Sequence, residues 1–217
     1  MKMKKMKKTK TRWINRWAGS YTFVSCSYWG GQYYKILKRI LGKGFDTTLF
    51  IHKKGTVTFL VKKDELDKLG MHLAKKVQDD KTSSIALLNK LKENTDLIMS
   101  MMAQLDGKIL TLAEYKAFMK VFERHLAYHV FMKKTVDYLP QELLDEMLPQ
   151  FKDARLYSEA VYSKTEHFFR ELAKAIAKKE KLDAELLTCL TQKELEAYIS
   201  KTTKKKLPDE SVLKERY

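Results

Sequence analysis

Residues 111–181 constrain the fold more than any other stretch. Along the first part, Tyr115, Phe118, Phe122, His125, His129, Met132 and Val136 recur at steps of three and four. That spacing keeps them on one face of an α-helix. Further on, Ala154, Tyr157, Val161, Phe168, Leu172 and Ile176 draw a second stripe, with Tyr162, Phe169 and Ala173 beside it. Two amphipathic helices of this length have to bury their stripes, most simply against each other. The reading is therefore an antiparallel pair of long helices, with a short helix over 141–148 between them and Pro149 restarting the chain into the second.

The remainder divides around that pair. Residues 21–28 are rich in aromatic, β-branched and hydroxyl side chains and read as a strand, broken by Trp29-Gly30-Gly31. A short helix is expected over 33–41, ended by Gly42-Lys43-Gly44. Two β-branched runs, 47–51 and 56–61, flank His52-Lys53-Lys54-Gly55, a hairpin signal in which Gly55 supplies a positive φ. From residue 63 the pattern is helical. Asp64 is the expected cap of one helix and Ser83 or Ser84 opens another, which Asp106-Gly107 closes. Thr111 with Glu114, and Thr191 with Glu194, have capping-box spacing. The class is α+β, mainly α: a helical bundle with two long antiparallel helices and a small N-terminal antiparallel sheet. Its parts are a basic, disordered arm at 1–16, a small α/β unit at 17–62, the bundle at 63–200, and a basic linker with a short helix at 201–217.

Composition agrees with a folded chain, with 44% hydrophobic and 32% charged residues. Cys26 and Cys189 are too few and too far apart for a disulfide framework, and suit buried thiols in a cytoplasmic protein. No run approaches the roughly 18 apolar residues of a membrane span. Much of the net charge of +16 lies at the ends, with eight cations in the first sixteen residues and Lys201 and Lys204–Lys206 near the other terminus. The Lys2–Lys10 arm could meet nucleic acid by counterion release, but a solubilising tail is the favoured interpretation.

Motifs that would carry chemistry are incomplete. His125 and His129 lie one helical turn apart and could share a metal, yet Glu123 does not fit the zincin pattern, so a third ligand would come from another helix. Packing in a helix seam, or rimming a groove, is the stronger interpretation. Arg155 with Glu159 and Glu166 with Arg170 are (i, i+4) pairs. Glu159 and Glu166 are about 10 Å apart along one helix, too far for a carboxylate dyad. Gly30-Gly31 and Gly42-Lys43-Gly44 complete neither a dinucleotide fingerprint nor a P-loop. A groove between the long helices would present His125, Tyr128, His129, Arg155, Tyr157, Glu159 and Tyr162. No cofactor is implied.

A resemblance adds to this. Arg16-Trp17, the run from Ser25 to Gly31, the strand–turn–strand of 48–61, Asp64 to Gly70, the helix of 157–177, and the ending with Leu190 to Ile199, Leu207-Pro208 and Leu213 to Arg216 carry it. Their order resembles the helical middle region of phosphoenolpyruvate-utilising enzymes, the group of phosphoenolpyruvate synthase, pyruvate phosphate dikinase and rifampicin phosphotransferase. The resemblance implies a linker or scaffold module of a phosphotransferase, acting with a separate phosphohistidine or ATP-grasp partner or left as a remnant. No Gly-Gly followed by Ser-His occurs, so no catalytic residue carries over. The alternatives are a nucleic-acid-binding protein using the basic termini, and a small-molecule-binding protein or enzyme with a groove at His125 and His129.

Overall fold

The computed structural model describes residues 12–200 and 207–217. It is mainly helical with one small antiparallel sheet, in the order β1 (Trp13–Ser20), α1 (Phe23–Leu41), β2 (Thr48–Lys53), β3 (Thr56–Lys62) and then helices to the end. The strands are ordered β1-β3-β2, both pairings antiparallel. The hairpin forms where the sequence places it. Lys54 and Gly55 take φ of 48° and 71°, the conformation a two-residue turn between twisted strands requires.

Two expectations fail at the N-terminal end. The strand expected over 21–28 and the break at Gly30-Gly31 are absent, because α1 runs through both. Local β propensity loses to tertiary contacts. Thr22 caps the helix by accepting from the Ser25 amide, while Val24, Tyr28, Trp29, Tyr33, Ile36 and Leu37 form a buried helical face. The partner that fixes the cap lies 144 residues away, where the Glu166 carboxylate accepts from the Thr22 amide at 2.7 Å. The third strand instead begins at Trp13, inside the stretch expected to be disordered. The basic residues 1–11 and 201–206, and the nucleic-acid expectation that rests on them, lie outside the described residues.

The helices that follow are α2 (Lys63–Asp79), α3 (Lys81–Leu105) and α4 (Leu112–Thr135), then α5 (Gln141–Ser158) and α6 (Ala160–Glu180). Asp80, rather than Ser83 or Ser84, caps α3, accepting from the Ser83 amide at 2.9 Å. Asp64 lies in the first turn of α2 but not at its cap, which is Lys62. Thr111 and Glu114 form the reciprocal capping box of α4. Pro149 does not restart the chain: α5 passes through it, and the interruption falls at Glu159. A proline frees the carbonyl four residues back. Here that residue, Asp145, and Pro149 are both exposed, on the side of the helix that faces solvent.

Helix α4 is the centre of the core. Residues 125–132 are all buried, and α4 packs most closely on α3, with α1 and α2 next. A helical stretch buried on every side is interior rather than one half of an isolated pair. Its contact with α6 is made through rings. Phe118 and Phe168 lie 4.9 Å apart between centroids, and His129 and Tyr162 4.6 Å, so the two helices run antiparallel. Among the described residues no helix is long and apolar enough to cross a membrane.

The C-terminal end folds back. The helix over Glu210–Arg216 buries Leu213, and Arg216 makes a bidentate pair with Glu194 at 2.7 and 3.0 Å. The Tyr217 carbonyl accepts from the Lys54 amide in the hairpin turn at 2.9 Å.

A cationic, aromatic-floored cleft as candidate functional site

The inner face of the sheet supplies one wall. Trp17 pairs with Phe59 across β1 and β3, and Phe59 with Phe50 across β3 and β2, so three rings lie in a row across the sheet. Tyr33 and Trp29 of α1 cover that row, with Tyr33 4.9 Å from Phe59 and Trp29 5.4 Å from Trp17. Between Asn15 and Trp17 the register of β1 shifts. The extra residue is Arg16, and a bulge of this kind re-aims a side chain at a strand edge. Arg16 points to the end of α4.

The opposite wall is the last turns of α4 and the junction of α5 with α6. It brings His129, Lys133, Lys134, Lys152, Arg155 and Tyr162 around the same space. Together the walls enclose a cleft of about 950 Å³, within the usual range for organic ligands. Five cations line it, Arg16, Lys133, Lys134, Lys152 and Arg155, against two carboxylates, Asp137 and Glu159. Arg155 pairs with Glu159 at 3.6 Å and Arg16 with Asp137 at 4.0 Å. Among the described residues, Lys133, Lys134 and Lys152 make no ion pair.

The electrostatics record that excess. Burial, followed by the charge of Arg16, pushes the Lys134 ammonium down to about 8, with Asp137 opposing. Lys133 shifts the same way through burial and then Arg155, opposed by Glu159. An ammonium that loses affinity for its proton beside other cations is one that an arriving anion would stabilise.

The two imidazoles are neutral. His125 is fully buried, both ring nitrogens lack partners, and burial pushes its pKa down to about 3. His129 is held well below the usual range by burial first, then by His125, Lys133, Lys134 and Arg155. Among the described residues no group of three or more His, Cys, Asp or Glu side chains is placed to hold a metal ion.

The sequence-derived groove and the cleft overlap in part. His129, Arg155, Glu159 and Tyr162 line the cleft, and His125 lies behind it with its ring 5.6 Å from Tyr162. Tyr128 is buried away from the cleft. Tyr157, expected on the inward stripe, is 47% exposed and its hydroxyl donates to Asp96 of α3 at 2.7 Å. The buried face passes instead through Ala154, Ser158 and Val161, so the inward position that the stripe gave to Tyr157 belongs to the neighbouring serine. Sequence reasoning missed Arg16, Trp17, Trp29, Lys133, Lys134 and Lys152 as a group. Adjacent lysines in a last helical turn look like ordinary complements of the helix dipole.

Glu166 and Arg170, read as a surface pair, form a buried structural junction. Besides the Thr22 amide, Glu166 accepts from the Ser25 hydroxyl at 3.1 Å, and Arg170 stands 3.2 Å away. Burial raises the Glu166 pKa against the opposing pull of Arg170 and these donors. It ties α6 to the start of α1, and so fixes one cleft wall relative to the other.

Compared with known protein families, with curated proteins and with solved structures, the chain matches none, so the cleft has to be interpreted from its own chemistry.

Proposed function

We propose that this protein is a ligand-binding module whose cleft, between the sheet and the α4–α6 wall, takes up a small organic anion. One observation carries the reading: Lys133, Lys134 and Lys152, none of them in an ion pair among the described residues, line the same space of about 950 Å³ as the rings of Trp17, Trp29 and Phe59. A charged group would meet Lys133, Lys134 and Arg155, and its apolar body would displace water from the rings. Binding without bond-making is the favoured role. His129, the histidine that lines the cleft, is held well below the usual imidazole range by burial and is therefore a poor proton acceptor at neutral pH. The two free, buried thiols, Cys26 and Cys189, support a cytoplasmic setting.

The resemblance to the helical region of phosphoenolpyruvate-utilising enzymes gives a compatible second reading, favoured by the same cation excess. In it the module presents a phosphorylated or carboxylated substrate to a separate phosphohistidine or ATP-grasp protein, which affinity purification from the native host would recover.

The direct test is thermal unfolding with benzoate or inorganic phosphate against equal ionic strength of chloride. A ligand at a hundred times its Kd stabilises by about 2.7 kcal/mol. A rise in Tm is expected with at least one anion, lost in a Lys133→Gln/Arg155→Gln double variant. Equal shifts in both proteins, or none in either, would remove the reading.

A further inference from the structure

We propose that Lys134 captures anions that also carry an aldehyde or ketone, holding them in the cleft as a reversible imine on its side-chain nitrogen. The inference rests on the anion-binding reading and goes beyond it. For this subset of anions the cleft adds one bond, made by an amine rather than through a histidine.

Lys134 differs from the other cleft lysines in its surroundings. It lies half-buried in the last turn of α4 and lines the cleft, whereas Lys133 and Lys152 are exposed. Among the described residues it enters no ion pair, and Asp137, the carboxylate just beyond the helix, stands 4.0 Å from Arg16 instead. The bulge in β1 thus sets a guanidinium near the lysine, and Lys133 adds a second positive charge from the same turn. On α5, across the cleft, Lys152 and Arg155 are cations too, and Glu159 pairs with Arg155 at 3.6 Å. A lysine desolvated beside other cations gives up its proton easily, and the neutral amine is the nucleophile of imine chemistry. Burial, followed by Arg16, brings Lys134 down to about 8, so about a quarter of it is neutral at about pH 7.5. An ordinary lysine has about one part in a thousand neutral there.

The chemistry balances without a further reactant. The neutral nitrogen attacks the carbonyl carbon, forming the N–C bond while the carbonyl π pair passes to oxygen. The C–O bond of that carbinolamine then breaks, and the oxygen leaves as water with the two amine hydrogens, giving C=N. Solvent carries both protons, and addition of water reverses each step. His129, a poor proton acceptor, is not required, because the neutral amine is itself the nucleophile. The ligand's charge would meet Lys133 and Arg155, and its apolar body the rings of Trp17 and Phe59.

The experiment traps the imine on the full chain with sodium cyanoborohydride and maps the product by peptide mass spectrometry. Hydride from the reagent reduces C=N, so a labelled lysine gains the mass of the aldehyde less one oxygen. The probes are 4-formylbenzoate and its neutral methyl ester. At about pH 7.5, 4-formylbenzoate is expected to label Lys134 about tenfold or more faster than the exposed Lys75 and Lys116. The ester should lose most of that preference. Excess 2-naphthoate, an anion with no carbonyl, should slow labelling at Lys134 and leave Lys75 and Lys116 unchanged. In Lys134→Arg, which keeps the charge, no site should be labelled faster than Lys75. Labelling of Lys134 at the rate of Lys75 and Lys116, or equal labelling by acid and ester, would overturn the inference. In either case a rise in Tm with benzoate that is lost in Lys133→Gln/Arg155→Gln leaves the anion-binding reading standing. No rise with benzoate or phosphate, together with uniform labelling, would end both.

Discussion

Acid should unfold this protein through the two imidazoles of α4, and His125 allows the size of the effect to be worked out. Its side chain is 0% exposed and neither ring nitrogen has a partner. Its folded pKa is about 3, against roughly 6.5 for a free imidazole. The unfolded chain therefore binds a proton that the folded chain refuses throughout that interval. Stability from this group is complete above about pH 6.5 and falls by about 1.4 kcal/mol per pH unit as the pH drops. The full loss by about pH 3 is on the order of 5 kcal/mol, a large part of a typical domain's total of about 5–15 kcal/mol. His129 is shifted in the same direction and steepens the fall. Urea unfolding followed by circular dichroism between about pH 7.5 and pH 5 measures the slope above the range where most carboxylates titrate. His125→Leu removes the titration and both orphaned nitrogens while keeping a buried side chain of similar size. Leaving two such atoms unbonded costs on the order of 1–3 kcal/mol each, so the variant should be at least as stable as the wild type at pH 7.5. Its stability should fall markedly less between pH 6.5 and pH 5. An unchanged slope, or a variant more than about 2 kcal/mol weaker at pH 7.5, would show that His125 is neither neutral nor unpaired, and the reasoning would fail.

Other perturbations follow from the same geometry. Gly70→Ala should destabilise by about 1–3 kcal/mol despite alanine's better helix propensity, because the new Cβ would sit 2.2 Å from the Tyr138 ring; chemical denaturation reads the loss. Glu166→Ala should cost about 2–4 kcal/mol in the same assay, leaving the Thr22 amide and Ser25 hydroxyl buried without their acceptor, while Glu166→Gln costs about 1 kcal/mol because it keeps one oxygen. Benzoate affinity should weaken as the pH rises through about 8, where Lys134 sheds its proton. Calorimetry in two buffers of different ionisation enthalpy should then show proton uptake on binding near that pH, and no uptake in Lys134→Met.

What the sequence disclosed was local. Thr111 with Glu114 and Thr191 with Glu194 act across three residues, and both capping interactions form as their spacing predicts. The turn at Lys54-Gly55 is equally self-contained. The stripe of α4 was visible because period 3.6 needs no partner to be seen, although its burial on all sides was not. What stayed hidden depends on distant residues. Helix α1 contains β-favouring side chains and two glycines, and its first turn is secured by Glu166 from α6. The signal that could have revealed it was the Thr22-x-x-Ser25 cap followed by Val24, Tyr28 and Ile36 in helical register. The cleft was the least legible feature. It needs a bulge at Arg16, rings from two strands and α1, and cations from α4 and α5, and apart from the adjacent Arg16 and Trp17 these groups lie far apart in the sequence. Of the residues proposed for a groove, His129, Arg155, Glu159 and Tyr162 reached the cleft. Tyr157 did not, because the buried face of α5 and α6 runs through Ala154, Ser158 and Val161, and a serine at the inward position gives no hydrophobic signal.

Lysine footprinting by acetic anhydride and mass spectrometry, with and without saturating 2-naphthoate, asks most directly whether the cleft is the binding site. Lys133, Lys134 and Lys152 should react in the free protein and be protected by the ligand, while the exposed Lys75 and Lys116, outside the cleft, react equally in both states. Ligand-bound protein in which the three cleft lysines stay as reactive as Lys75 and Lys116 would contradict the account.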